Sequence, residues 1–529
     1  MEIENLFRYT ALAVGLKPSA NQGKARLRGL YRIIYSKTII SVTVFGSAIL
    51  GAFNPVQLVQ PLWERLCFFA IGGAIGRSGA TTILLSEIEA RYVDGANVRG
   101  AGCKTLLCAQ RAEETAMQEQ DVILKRQKYN TRFKNGDMDF MFNWALGVSQ
   151  IVGMSPSQVF YAVHDIRDGD PDGWRDGFWR QGDYQIERAR EFLKHGQQLA
   201  AGQLHLGAAY AYRSALQYTH PSASDFNTRV QTMERAFQQG VHLIGIPMRP
   251  IEIPFEHAAL PGYYLEHDEQ SRPVVMMVGG GDTFREDLFY FAGYPGWKRG
   301  YNVVMVDLPG QGVTPDRGLH FRADMERPIS AVLDWLEAHS AARPTQIAIY
   351  GVSGGGYTTA LAVSSDPRIS AWIASTPIFD LVEVFRREFG SAMKAPGWVI
   401  NTFMRLAGML NKSAEINLDK YAWQFGATDF KSVVDGVVAL AKRVDYTGIA
   451  TPSLFLMSEG EGDELKRQTL EIYHDLRRRG VDVTLCEFTA AEGADGHCQV
   501  NNLRLAHLVI FDWLDRVFGH TPGDRRLWV

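Results

Sequence analysis

The sequence predicts an α/β fold: a mostly parallel, doubly wound sheet preceded by a long helical region. Three observations carry that expectation. From Ile251 onward, short apolar runs alternate with helical stretches, as strands and covering helices do in a parallel sheet. Those runs are continuously apolar, so the sheet is expected to be covered on both faces. Upstream of Ile251 the apolar residues recur at helical spacing instead.

The strands are taken in order. Val274 to Val278 is a β-branched and Met run that ends at Gly279-Gly280-Gly281. Asn302 to Val306 leads into the turn-rich loop Asp307-Leu308-Pro309-Gly310-Gln311-Gly312. Gln346 to Tyr350 runs directly into Gly351-Val352-Ser353-Gly354-Gly355-Gly356, and Ile369 to Ala374, Ser453 to Met457 and Val483 to Phe488 complete the set. Between Asp380 and Asp445 the alternation gives way to a helical pattern, an insertion (residues 380–445) expected to lie above the strand ends as a lid.

Before the sheet, Glu187 to Leu199 is an amphipathic run, Gly202 a break, and Leu204 to Tyr218 a second run that stops before His220-Pro221. Residues 1–130 are also helical in pattern but carry no chemical motif. They hold two apolar runs, of which Thr38 to Phe53 is 16 residues long and Leu66 to Gly76 is shorter. A spanning helix needs about 20. Buried or dimer-interface helices are therefore expected. Basic residues at Lys24, Arg26, Arg28, Arg32 and Lys37 keep peripheral membrane contact through residues 24–76 as the lesser alternative.

Composition narrows the classes. Hydrophobic residues make up 46% of the 529 and charged ones 21%, which excludes a disordered or fibrous chain. Lys+Arg 55 against Asp+Glu 58 gives a net charge of −3, so no overall basic field recruits nucleic acid. The five cysteines (Cys67, Cys103, Cys108, Cys486, Cys498) show no paired CxxC spacing and read as free thiols. With no secretory pattern at the N-terminus, a reducing, cytoplasmic setting is expected.

Gly351-Val352-Ser353-Gly354-Gly355 matches the GxSxG nucleophile elbow, and it sits between an expected strand and an expected helix. The sharp turn puts the serine in strained geometry that only small neighbours permit, and the helix N-terminus behind it favours negative charge. A serine needs a base, and the base an orienting carboxylate, in the order Ser, acid, His for the α/β-hydrolase architecture. His497 follows the last strand and precedes a helix, whereas His474 and His507 lie within helices. The acid belongs in Ser458-Glu459-Gly460-Glu461-Gly462-Asp463: Glu461 has the usual offset, with Asp463 and then Glu459 near enough to replace it. Oxyanion donors are expected from the Gly354 N–H and from Gly280 or Gly281. Neither GxGxxG nor GxxxxGK[ST] follows the glycines, and no histidine–carboxylate cluster has metal spacing, so no cofactor and no metal are expected.

With these residues placed, the chain from about residue 137 onward resembles the α/β-hydrolase subgroup that holds 2,6-dihydroxypseudooxynicotine hydrolase, the fermentation–respiration-switch esterases and the fungal hydrolases that shorten polyketide chains. Trp174 and Trp179 resemble the residues that precede that subgroup's long helix, and Ala208 to Tyr218 resembles its A…Y…A…Y stretch. Ile251 to Tyr263 is similar to its IP[FY]E…LPGY segment. Gly279-Gly280-Gly281-Asp282 with Arg285-Glu286-Asp287 resembles GGxD…KEE, and the Asp307 loop resembles D-x-PGQG. The resemblance implies a helical cap over residues 131–250, a catalytic domain over residues 251–529, and a pocket between them. It also implies a carboxylate after the strand beyond the nucleophile helix, Asp380 or Glu383 here, and substrate contacts at Asp282. Tyr357 is a further candidate for the pocket wall. The glutamate-rich acid loop departs from the subgroup's usual aspartate.

The resulting expectation is a serine-dependent hydrolase cleaving a C–C or ester C–O bond next to a carbonyl, in an aryl-ketone or polyketide-like small molecule. Two alternatives stay open at this level: acyl transfer or cyclisation by the same residues, and a non-catalytic scaffold.

Overall fold

The computed structural model describes residues 125–267, 272–339, 346–390 and 394–521. The two N-terminal apolar runs, the basic cluster beside them and Cys67, Cys103 and Cys108 lie outside the described residues.

Among the described residues five helices come first: α1 (Gly136–Ser149), α2 (Pro156–Ala162), α3 (Pro171–Lys194), α4 (Gln198–Leu216) and α5 (Phe226–Leu243). Asn135 and Asp170 cap α1 and α3 by accepting the N–H groups of Met138 and Gly173. The turn between α3 and α4 falls at Gly196, whose φ of +73° ends the first helix, and not at Gly202 as the sequence suggested. Gly202 lies inside α4, where a Cβ would stand 3.0 Å from the Gly240 carbonyl and 2.9 Å from the Leu243 Cβ. The glycine therefore serves close packing of α4 on α5. Trp174 and Trp179 likewise sit within α3 and not ahead of it; the indole of Trp174 donates to the Ser214 carbonyl at 2.8 Å, which ties α3 to α4.

Among the described residues one eight-stranded sheet runs in the order β1-β2-β4-β3-β5-β6-β7-β8. Its strands are β1 (Met248–Phe255), β2 (Ala258–Leu265), β3 (Val274–Val278), β4 (Asn302–Val306), β5 (Ile347–Val352), β6 (Ile369–Ser375), β7 (Ser453–Ser458) and β8 (Val483–Phe488). The six from β3 to β8 pair in parallel, while β1 and β2 form an antiparallel hairpin on β4. Sequence reading missed that hairpin because Pro250, Pro254 and Pro261 interrupt it. The prolines are tolerated because β1 is an edge strand and the β2–β4 ladder begins only at Gly262.

Alternate residues of each central strand enter opposite layers. Val275, Met277, Val303 and Met305 join α1–α5 and the C-terminal helix, whereas Val274, Met276, Val278, Val304 and Val306 face the other side. That second layer is made by α6 (Glu326–His339), α7 (Gly354–Val363) and, beyond the insertion, Asp463–Arg478. The insertion between β6 and β7 comprises α8 (Leu381–Phe389), α9 (Gly397–Leu410), α10 (Lys412–Phe425) and α11 (Phe430–Leu440). Helix α12 (Asp463–Arg478) follows β7, and α13 (Leu503–Phe518) closes the described chain. Among the described residues no helix is long and apolar enough to cross a membrane.

Candidate active site

Strand β5 runs to Val352 and α7 starts at Gly354, so the reversal is concentrated in one residue. Ser353 has φ 56° and ψ −123°, a left-handed-side conformation that non-glycine residues rarely occupy. Its N–H donates to the Ser375 carbonyl on the neighbouring strand at 2.6 Å, which holds the strained turn in place. A Cβ on Gly355 would stand 2.5 Å from the Val278 carbonyl oxygen, so the helix can follow at once only because that position is glycine.

His497 Nε2 lies 2.9 Å from Ser353 Oγ, and His497 Nδ1 lies 2.7 Å from Glu461 Oε1. The loop after β8 presents the histidine in a one-turn helix, His497–Gln499, and its N–H donates to the Arg126 carbonyl at 2.6 Å. Glu461 is completely buried after β7; the Thr376 hydroxyl donates to its Oε1 and the Ser458 N–H to its Oε2 at 3.3 Å. Burial alone lowers the pKa of His497, but Cys498 beside it and the Glu461 carboxylate raise it, and the raising prevails over the ordinary 6.5. The chain Ser–His–Glu is thus continuous, with the carboxylate fixing the tautomer that leaves Nε2 facing the serine.

Gly280 and Gly281 pass over the serine. A Cβ on Gly280 would lie 2.7 Å from the Ser353 Cβ, and the Gly281 nitrogen is 3.7 Å from where a Cβ on Gly354 would stand. Among the described residues neither the Gly281 nor the Gly354 N–H has an acceptor. The loop carbonyls, by contrast, are turned away and held. Gln311 Nε2 donates to the Gly279 oxygen at 2.5 Å, Thr283 Oγ1 to the Gly280 oxygen at 3.2 Å, and Gln424 Nε2 to the Gly281 oxygen at 2.5 Å. This gives the PGQG loop a task that its sequence did not reveal. Gln311 orients the glycines so that two N–H groups converge near Ser353, an arrangement able to bind a developing oxyanion.

A cavity of about 110 Å³ opens on this group. Phe140, Trp144, Phe291, Val352 and Val500 form its apolar walls, while Arg126, Asp137, Asp282, Asn417 and Tyr421 make it polar on another side. Arg126 is ion-paired with Asp137 and with Asp282 at 3.4 Å, and its guanidinium stacks 4.0 Å over the Phe140 ring. Asp282 also faces Lys420 at 3.6 Å. Burial would raise the Asp282 pKa, but Lys420, Arg126 and Arg213 hold it below the ordinary carboxylate value. Among the described residues no group of three or more His, Cys, Asp or Glu side chains could hold a metal ion.

The sequence-predicted residues therefore separate. Ser353, His497, Glu461, Gly280, Gly281, Gly354 and Asp282 come together. Asp463 does not: it is the first residue of α12 with a fully exposed side chain, because the turn after Glu461 sends it outward. Glu459 bonds to Lys128 and to the Ala490 N–H at the surface. Glu383 lies outside the cavity and pairs with Arg386 and Arg387 along α8, and Asp380 caps that helix. Tyr357 points away from the cavity into the other layer, where its hydroxyl donates to the Lys442 carbonyl at 2.9 Å and accepts the Lys442 N–H at 2.8 Å. Cys498 lines the cavity, but its thiol donates to the Ser375 carbonyl at 3.0 Å. Sequence reading missed Arg126, Asp137, Phe140 and Trp144, and with them the α10 residues. Arg126 fell inside the stretch read as an extension, and no local pattern distinguishes a cavity-facing Asn or Tyr from a packing one.

Comparison with known proteins agrees with this architecture. The family described as Esterase FrsA-like matches residues 163–416, which include Ser353 but stop before Glu461 and His497. Hydrolyase ccsE of Aspergillus clavatus is 31% identical over 304 residues, covering 51% of this chain and 68% of that protein. Hydrolyase poxO of Penicillium oxalicum is 28% identical over 316 residues, covering 56% of this chain and 75% of that one. Among solved structures, that of 2,6-dihydroxy-pseudo-oxynicotine hydrolase superposes with a TM-score of 0.53 at 21% identity, covering 70% of this chain and 95% of its own; this likeness carries the fold. An elbow serine at the end of a parallel sheet and the match to named hydrolases lead to one assignment: the chain is an α/β-hydrolase and belongs to the FrsA-like esterase family.

Proposed function

We propose that this hydrolase uses Ser353 as its nucleophile and cleaves a C–C or ester C–O bond next to a carbonyl, in an aryl-ketone or polyketide-like substrate. The observation that carries the reading is the unbroken contact from Ser353 Oγ through His497 to Glu461, at 2.9 and 2.7 Å, beneath two unspent N–H groups. Ser353 Oγ attacks the carbonyl carbon while His497 Nε2 takes its proton, and Glu461 stabilises the imidazolium. The N–H groups of Gly354 and Gly281 (or Gly280) hold the tetrahedral oxyanion. On collapse the electrons leave with the alkoxide, or with a carbanion that an adjacent carbonyl or phenol delocalises, and His497 returns the proton to it. Water, deprotonated by the same histidine, then releases the acid and restores Ser353.

The aromatic walls at Phe140, Trp144 and Phe291 support an aryl or unsaturated group beside the scissile bond, since flat rings pack well against such faces. The test is intact-protein mass spectrometry after treatment with a fluorophosphonate. One adduct on the wild type that is missing in Ser353→Ala is expected, together with turnover of aryl esters and acylphenols. An adduct that persists in Ser353→Ala would refute the assignment of the nucleophile.

A further inference from the structure

Helix α10 turns three polar side chains toward the cavity at a spacing of four residues: Ser413, Asn417 and Tyr421. Four residues advance an α-helix about 6 Å and return nearly to the same face. Each of the three carries a hydrogen-bonding group without a partner among the described residues. Ser413 Oγ and Asn417 Oδ1 are buried and unmatched, their residues 1% and 7% exposed. Asn417 Nδ2 donates to Asp137 Oδ2 at 2.9 Å, which fixes the amide so that its oxygen is the group left over. The Tyr421 hydroxyl has no hydrogen bond among the described residues, and the ring lies 3.5 Å from where a Cβ on Gly281 would stand. Burial raises the phenol's pKa, so it remains a neutral donor.

Buried polar groups without partners are costly, and two of them in one row with the half-buried Tyr421 hydroxyl on the wall of a cavity are not explained by packing. We propose that Ser413, Asn417 and Tyr421 form a hydrogen-bonding ridge that selects substrates bearing hydroxyl oxygens one to two helical turns away from the reacting carbonyl. Tyr421, beside the glycine loop, meets the oxygen nearest the scissile bond. Asn417 accepts from a hydroxyl one turn further on, and Ser413 bonds the next. The ridge rests on the serine-hydrolase reading above and deepens it: a plain fatty acyl or phenyl group would leave all three groups unpaired.

The test compares 4-nitrophenyl 3-phenylpropanoate with its 3-hydroxyphenyl and 4-hydroxyphenyl counterparts, on the full chain. Wild type is expected to favour at least one phenolic ester by about tenfold or more in kcat/KM, because a site built to bond a hydroxyl rejects the analogue without it. Ser413→Ala and Tyr421→Phe together are expected to raise KM for the favoured phenolic ester, so that its kcat/KM falls to about that of the plain ester measured on the same variant, while Ser353 still labels with the fluorophosphonate. A merely structural role would depress all three esters alike, and that result overturns the proposal. So does a wild type that labels at Ser353 but treats the three esters equally. A wild type that neither labels nor turns over any ester defeats the serine reading itself, and the ridge with it.

Discussion

His497 Nδ1 stands 2.7 Å from Oε1 of Glu461, a carboxylate with no solvent exposure whose other oxygen takes a backbone N–H. Of three acidic residues within five positions, one alone reaches the base, and the geometry between these two residues has consequences for rate, for pH and for the neighbours left out.

Glu461→Gln is expected to lower kcat by about a thousandfold, since an amide no longer stabilises the imidazolium or enforces its tautomer. Asp463→Asn and Glu459→Gln should leave kcat within about twofold, because surface substitutions of this kind touch neither base nor substrate. Steady-state kinetics on one aryl ester separates the three, and a large loss in Asp463→Asn would reassign the acid.

The pH profile follows from the same contact. Burial pulls the His497 pKa down, Cys498 and Glu461 push it up, and the outcome lies above the ordinary 6.5. A general base works when neutral, so kcat/KM should rise with pH and reach half its plateau above 6.5. In Glu461→Gln the rising limb should move to lower pH as its plateau drops. A wild-type limb at or below 6.5 would contradict the raised pKa.

Gly280→Ala tests the loop over the serine. The added Cβ would stand 2.7 Å from the Ser353 Cβ and 3.0 Å from the Val352 carbonyl oxygen, neither of which a side-chain rotation can move away. Overpacking of this kind costs about 1–3 kcal/mol. The expected result is a folded protein with a modestly lowered Tm and a fall of more than about a hundredfold in both fluorophosphonate labelling rate and kcat/KM, since one oxyanion donor is displaced.

Tyr357→Phe should show the reverse pattern. The hydroxyl it removes serves both backbone groups of Lys442 at 2.9 and 2.8 Å, outside the lining of the cavity. Leaving those groups unpaired should cost about 1–3 kcal/mol in denaturant unfolding with kcat/KM unchanged. A change in substrate preference would return Tyr357 to the cavity wall.

Arg213→Ala should destabilise strongly. Its Nε donates to Asp287 at 2.7 Å with both side chains buried, linking α4 to the segment that follows the glycine loop. Removing one partner of a buried pair strands the other charge and costs about 3–5 kcal/mol, read as a fall in Tm or in the denaturant midpoint.

The strands of the parallel sheet were legible because burial on both faces writes a continuous apolar run, and β3, β4 and β8 have the bounds their runs predicted. The β1–β2 hairpin was not, since its prolines contradict strand propensity and only its position at the sheet edge excuses them. Ser353 and His497 could be found locally: an elbow needs small residues at fixed offsets, and strand ends in a parallel sheet all deliver their loops to one side. Glu461 could only be ranked, because which of three neighbouring carboxylates faces inward is set by the turn between β7 and α12.

By itself, then, the sequence determined the fold class and picked out the elbow serine and the histidine that meets it, since each is encoded by short-range pattern. Tertiary structure alone decided the rest. It brought the Arg126 carbonyl to the His497 N–H, turned Gln311 onto the glycine loop, and placed Ser413, Asn417 and Tyr421 of the insertion on the wall of the cavity that Ser353 also lines. The physical reason is range. A strand or an elbow is specified by neighbours a few residues apart, whereas a cavity wall is assembled from segments far apart in the chain, whose side chains carry no mark of what they will face.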